Sequence, residues 1–384
     1  MAFVAVHVGA GNHARSKESL YKETCNRACQ AAMDLLLQGA DSMQAVGAAI
    51  AVLEDSPCTN AGYGSNLTLQ GTVECDASIM TEAGNFGAVG AVSGIKNPIL
   101  AAKKLLEVSN QGLLSLGRVP PVFMVGPGAF EWAKDHGVEV VLKSKLISDG
   151  ALQTYVGHMH RYYEMNKLAC DHSQHALPSS SISDDSALGH DTVGAICVDQ
   201  NGKIASGVSS GGISLKFPGR VGEVSLGMST NTPNCVLINP FQAAVFGSGC
   251  WTQRLTDPDV AIACSSTGTG EQLLLTMLAH QFATMVEHEE ETSVAMSRVL
   301  KTKFLEHPLL QNMIEKNAGL LAAKLIRRNK DGCIGIVELC YGHTTHSMGV
   351  GYMTSHQEQP KFVMSRKRPG QEQACSSMMF RLYK

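Results

Sequence analysis

The chain has 384 residues, 44% of them apolar, 17% charged and 5% aromatic, with 38 glycines and a formal net charge of −3. So many apolar residues and so few charges exclude intrinsic disorder and a coiled coil, and the near balance of charge gives no global pull toward nucleic acid or an acidic membrane. One core rarely grows past roughly 250–300 residues, so length alone suggests two domains.

Taken in chain order, Phe3–Val8 reads as a strand, because His7 interrupts the apolar run and no basic stretch precedes it as in a signal peptide. Leu20, Cys25, Cys29, Met33 and Leu36 recur at helical spacing and predict a helix over 18–38 that stops at Gly39. A second helix is expected from Asp41, an N-cap, through Ala45, Ala49, Val52 and Leu53. A third starts at Asn97-Pro98, and a fourth runs from Glu271 to about Val286. Val73–Met80, Phe86–Val92, Val193–Val198 and Ile204–Val208 read as strands. Their continuous runs of small and β-branched residues suit strands covered on both faces, so a layered α/β arrangement is expected.

No apolar run reaches the roughly 18–20 residues of a spanning helix. The 12 cysteines are scattered, form no C-x-x-C pair and read as buried reduced thiols. Residues 157–190 break the pattern as a polar, His- and Ser-rich loop, in which His158, His160, His172 and His175 read as solvated.

Three constellations could carry chemistry. Glycine-rich turns such as Gly9-Ala-Gly11 and Gly268-Thr-Gly270 lack the Lys-Ser/Thr of a phosphate loop, so nucleotide binding is unsupported. Gly207-Val-Ser209-Ser210-Gly211 matches a nucleophile elbow that His343 or His346 could serve, but Pro218-Gly219 opposes the helix such an elbow needs. The third is Asp191-Thr192-Val193, at the junction of the polar tract and a strand. A cut before Thr192 would place its hydroxyl beside its own free amine. An α-amine titrates near 7.7–8 and can serve as base at working pH.

Here the residues match a family. The stretch Asp191-Thr-Val-Gly-Ala…Ser209-Ser-Gly-Gly…Pro218-Gly-Arg-Val-Gly…Ser265-Ser-Thr-Gly-Thr-Gly-Glu271 resembles the type 2 (plant-type) asparaginases, which are N-terminal nucleophile hydrolases. His7-Val-Gly-Ala-Gly11 and Asn60-Ala-Gly-Tyr-Gly-Ser65 extend the match. Asp191 before Thr192, Ser210, and His343-Thr-Thr-His-Ser-Met348 are similar to the threonine aspartase branch.

The resemblance implies a four-layer αββα sandwich made as a proenzyme. It would be cut between Asp191 and Thr192 into an α part (1–191, with a processing linker about 157–190) and a β part (192–384). Both parts would build one folded unit, and αβ units would associate with one another. Thr192 would be the nucleophile, Ser210 its hydroxyl partner, Thr267 and Gly268 the oxyanion donors and Asn60 a neighbour. Arg220 would bind a substrate carboxylate, with Glu223 and Lys17 nearby; Thr269 stands where the branch has Cys. No metal or organic cofactor would be needed, because one residue supplies nucleophile and base.

Cleavage after Asp in proteins is the implied activity. An asparaginase or isoaspartyl dipeptidase, or an unprocessed inactive binding protein, is the alternative. The branch's substrates are trithorax-type histone methyltransferases and the large subunit of general transcription factor IIA, which implies nucleus and cytoplasm. The basic runs Lys324–Lys330 and Arg366-Lys-Arg368 are weak nuclear signals. Neither nucleic acid nor membrane is an expected partner. Val224–Gln242 interrupts the family pattern beside Arg220 and reads as a retained intron or a genuine loop.

Overall fold

The computed structural model describes residues 2–170, 192–221, 244–289, 291–328 and 334–382. Among these, eight α-helices are α1 (Glu18–Leu37), α2 (Ser42–Glu54), α3 (Pro98–Ser109), α4 (Gly126–Asp135), α5 (Asp149–Cys170), α6 (Gly270–Thr276), α7 (Leu278–His288) and α8 (Thr292–Arg298). The strands of the first half are β1 (Phe3–Gly11), β2 (Cys75–Thr81), β3 (Phe86–Val92) and β4 (Phe123–Val125). After Thr192 come β5 (Val193–Val198), β6 (Ile204–Ser210), β7 (Cys250–Arg254) and β8 (Val260–Gly268). The chain ends in β9 (Ala318–Arg328), β10 (Ile334–His343), β11 (Ser347–Thr354), β12 (Lys361–Arg366) and β13 (Ala374–Arg381).

Two sheets result. The larger has the order β12-β11-β1-β5-β6-β2-β3-β4, antiparallel except between β3 and β4. The smaller is antiparallel, in the order β13-β10-β9-β8-β7. Side chains alternate along a strand, so each strand feeds two layers. From β1, Val4, Val6 and Val8 pack under α1 and α2, while Phe3 and Ala5 face the second sheet. Ala261 and Ala263 of β8 meet that inner layer, and Ile262 and Cys264 face α7 and α8. The product is a four-layer αββα sandwich. Each fully buried Leu or Ile contributes about 1.5–3 kcal/mol, and small inner side chains let the sheets approach.

Local signals explain the helix boundaries. Asp41 accepts from the Gln44 amide at 2.7 Å while Gln44 Oε1 accepts from the Asp41 amide, a reciprocal cap for α2. Two sequence expectations change. The helix expected over Glu271–Val286 is split at Met277, whose φ of +45° turns the chain between α6 and α7. Residues 157–170, read as the start of a polar loop, continue α5, where His158 is half-buried and its Nδ1 lies 2.7 Å from Ser214 Oγ. The remainder of that stretch, 171–190, lies outside the described residues.

Candidate active site

Strand periodicity decides which side chains can meet. Thr192 precedes β5 and faces the same inter-sheet space as Ser210, the last residue of the antiparallel neighbour β6. Thr192 is 2% exposed, and its Oγ1 donates to Ser210 Oγ at 2.9 Å. Ser210 Oγ also accepts from the Gly212 amide at 3.1 Å. Two donors on one oxygen fix its lone pairs and hold the threonine hydroxyl in one rotamer.

Asn60 builds the turn beneath this pair. Its carbonyl accepts from the Gly211 amide at 2.7 Å, its Nδ2 donates to the Gly212 carbonyl at 2.7 Å, and its Oδ1 accepts from the Asn66 amide. A Cβ on Gly211 would lie 2.5 Å from Ser65 and 2.6 Å from Asn60 Oδ1, so only glycine fits. Asn60 therefore touches the turn that carries Ser210.

The opposite wall comes from the smaller sheet. Thr267 lies on the inner face of β8, fully buried, and its Oγ1 accepts from the Ala10 amide of β1 at 3.2 Å. Its own O–H is thereby left to donate into the space between the sheets. Gly268 has φ +131°, and a Cβ there would lie 2.2 Å from the Asn317 carbonyl. The segment 343–348 braces this wall. Thr344 Oγ1 accepts from the Ala318 amide at 2.9 Å and donates to the Lys316 carbonyl at 2.7 Å, and Asn317 in turn accepts from the Thr269 amide.

Arg220 is almost buried and donates from Nη2 to Glu271 Oε1 at 2.8 Å. A Cβ on Gly212 would stand 3.3 Å from both Arg220 Nη1 and Lys216 Nζ, so two cations converge on the turn that holds Ser210. Lys216 is buried and donates to the Glu74 carbonyl at 2.6 Å. Beside it Asp76 accepts from the Ala91 amide at 2.7 Å; burial raises its pKa and the Lys216 charge opposes that rise. Each cation already faces a carboxylate, Arg220 that of Glu271 and Lys216 that of Asp76; the guanidinium fork of Arg220 is the group here able to take a further carboxylate in a bidentate way.

Not every expected residue joins the cluster. Lys17 is exposed on the short turn Arg15–Lys17, and among the described residues no hydrogen bond links it to Thr192, Ser210 or Arg220. Asp191, Glu223 and Val224–Gln242 lie outside the described residues. The nucleophile-elbow reading fails. Ser209 faces Glu54 of α2, away from the inter-sheet space, and His343 is held by Ser365 Oγ at 2.9 Å and the Thr345 carbonyl.

Two residues carry no role in the sequence reading. His7 lies between the sheets with Nε2 2.8 Å from Ser265 Oγ, and the Thr192 main chain stands beside its ring. Burial pushes its imidazole down to about 3, so it is neutral. Ser265 donates its one proton to the Gly207 carbonyl, so Nε2–H is the donor to Ser265. Glu54 is fully buried behind β6, accepts from the Ile99 amide at 3.0 Å, and is raised to about 8 by desolvation. A charged or titratable residue inside an apolar run, as with His7 and Glu54, was the available signal.

An αββα sandwich with a buried threonine hydroxyl at the head of an inner strand defines a class: the N-terminal nucleophile hydrolases. The family model described as asparaginase matches residues 1–229. An isoaspartyl peptidase of Escherichia coli K12 is 31% identical over 295 residues, covering 75% of this chain and 77% of that protein. An isoaspartyl peptidase/L-asparaginase of Bos taurus is 33% identical over 278 residues, covering 72% and 74%. One from Xenopus laevis is 30% identical over 277 residues, covering 72% and 73%. The chain belongs to this asparaginase family of hydrolases.

Proposed function

We propose that the chain is a threonine aspartase (taspase), a proenzyme that cuts itself between Asp191 and Thr192 and then cleaves proteins after Asp. The observation that carries this reading is the Thr192 Oγ1–Ser210 Oγ hydrogen bond at 2.9 Å, on a threonine that directly follows an aspartate. In self-cleavage Thr192 Oγ1 attacks the Asp191 carbonyl, the peptide nitrogen leaves as the new α-amine, and water hydrolyses the ester. In turnover that amine takes the Oγ1 proton as Oγ1 attacks the substrate carbonyl. Thr267 and Gly268 stabilise the oxyanion, the leaving amine takes the proton, and water releases the acyl group. Preorganised donors of this kind contribute about 3–4 kcal/mol each. Arg220 holds the aspartyl carboxylate of the residue before the scissile bond.

The halves 1–191 and 192–384 are then subunits of one sandwich, and αβ units pair. The substrate class would be nuclear proteins of the trithorax-type methyltransferase and transcription factor IIA kind, which places the enzyme in nucleus and cytoplasm.

A second reading, isoaspartyl peptidase or asparaginase, is the one the names of the similar proteins favour. Against it stand Asp191, Ser210 and the 343–348 segment that braces Gly268. Purified enzyme given an Asp-Gly protein site and a β-aspartyl dipeptide side by side separates the two. Cleavage of the protein site supports the aspartase; turnover of the dipeptide alone overturns it in favour of the second reading.

A further inference from the structure

A groove of about 570 Å³ runs between α1 and β12. Arg15, on the short turn before α1, and Glu18, Ser19 and Lys22, on the first turns of α1, form one wall; Phe362 and Arg366 form the other. The lining carries three cations and one carboxylate. Glu18 is already engaged, accepting from Arg366 Nη2 at 2.8 Å, and Arg366 Nη1 donates to the His13 carbonyl. Among the described residues neither Arg15 nor Lys22 makes an ion pair, and both are exposed. Lys17 and Arg368, close in sequence to lining residues, are exposed cations, and Glu23, next to Lys22, is an exposed carboxylate.

Two further observations point to an occupant. Among the described residues β12 ends the eight-stranded sheet and pairs only with β11, so its outer edge offers backbone donors and acceptors to an added strand. The groove also reaches toward the nucleophile end of that sheet. His7 pairs with both Gly194 and Val350, and Val350 pairs with Val363, so the line from the second residue of β5 meets β12 midway, with Met364–Arg366 lying toward the Thr192 end. Strands are about 4.8 Å apart, so three spacings put β12 about 14 Å from β5. Phe362 packs with the core under α1 while Thr192 faces the inter-sheet space. A chain joining groove and nucleophile therefore rounds the β12 edge and needs more than the roughly four extended residues of the direct path.

We propose that the α1–β12 groove is a docking site for an acidic, extended segment of the protein substrate. The segment adds along β12 and sets its carboxylates against Arg15 and Lys22. This rests on the endopeptidase reading, since a dipeptide or free asparagine cannot span the distance. An edge strand selects a polypeptide over a nucleic acid, because backbone pairing needs amides.

The test uses the full-length processed protein and a fluorescent twelve-residue Glu-rich peptide, followed by anisotropy, with the double variant Arg15→Glu/Lys22→Glu. The expected result is salt-sensitive binding that weakens about tenfold or more in the variant. Equal binding by both proteins, or no binding to the wild type, overturns the proposal, as does tighter binding of a single-stranded oligonucleotide through the same two residues. In a second arm, an Asp-containing peptide is cleaved with and without an acidic extension. The extension should raise kcat/KM in the wild type and not in the variant, while the short peptide is cut equally by both. Failure to cut either peptide overturns the endopeptidase reading, and the anisotropy arm still reads the groove by itself.

Discussion

The nucleophile and the α1–β12 groove lie on opposite faces of one sheet, between the sheets and under α1, and are built in opposite ways. Around Thr192 the polar atoms are enclosed and each hydroxyl is fixed by partners: Ser210 by Thr192 and by Gly212 of its own turn, Thr267 by Ala10 of β1, Ser265 by His7 of β1 and Gly207 of β6. At the groove the groups are charged, exposed and, for Arg15 and Lys22, unpaired among the described residues. Bond-making needs one geometry, and burial with complete hydrogen bonding supplies it. Capturing a chain needs reach and tolerance, which flexible cations and an open edge supply. Changes in the first region should therefore be severe and insensitive to salt. Those in the second should be mild, salt-dependent and visible only on long substrates.

The largest expected effect is Thr192→Ala, which removes nucleophile and base together and should lower turnover by about 10³-fold or more, measured on any amide substrate. Ser210→Ala comes next. Thr192 Oγ1 loses its acceptor and is free to rotate, so kcat should fall about 10²-fold with little change in KM. Gly211→Ala tests the turn beneath them. Its Cβ would collide with Ser65 and Asn60, and denaturant unfolding should register about 1–3 kcal/mol of lost stability.

Glu54 gives a pH test. Its folded value near 8 lies above the usual carboxylate range, so the folded chain holds this proton while the unfolded chain releases it. Stability from this group is complete below about pH 4.5 and is lost as pH rises toward 8, by a few kcal/mol at most. Glu54→Gln should flatten that decline in pH-dependent melting. His7 acts in the other direction. Its depressed value favours the folded state above about 6.5, and that contribution is lost as pH falls toward 3. Smallest is Arg15→Glu/Lys22→Glu on a short neutral substrate, where no change in rate is expected.

Much of the layer arrangement was legible in the sequence. Val193–Val198 and Phe86–Val92 announced doubly covered strands, and Asp41 and Pro98 marked two helix starts. The C-terminal sheet was harder to read. Ala374–Arg381 alternates half-buried and exposed positions, but until the terminal Arg381 its exposed members are Cys375, Ser377 and Met379, which carry little contrast in a hydropathy pattern. The break at Met277 had no signal, since methionine neither favours a left-handed conformation nor forbids a helix.

At the site, Thr192 was a candidate from its place between the polar tract and a strand, but a threonine opening a strand is ordinary by itself, and resemblance was what selected it and gave Ser210, Asn60 and Thr267 their roles. What resemblance did not supply was partnership. That Glu271 pairs with Arg220, that Lys216 converges on Gly212, and that Thr344 braces the wall behind Gly268 depend on contacts between distant segments. No local spacing encodes such contacts.

The most direct measurement is a denaturing gel with N-terminal sequencing of freshly purified wild type and Thr192→Ala. The expected result is two fragments near half length in the wild type, the second beginning at Thr192, and a single intact chain in the variant. An intact wild-type chain that still hydrolyses substrate, or a second fragment beginning at another residue, would contradict the assignment of Thr192 as an N-terminal nucleophile.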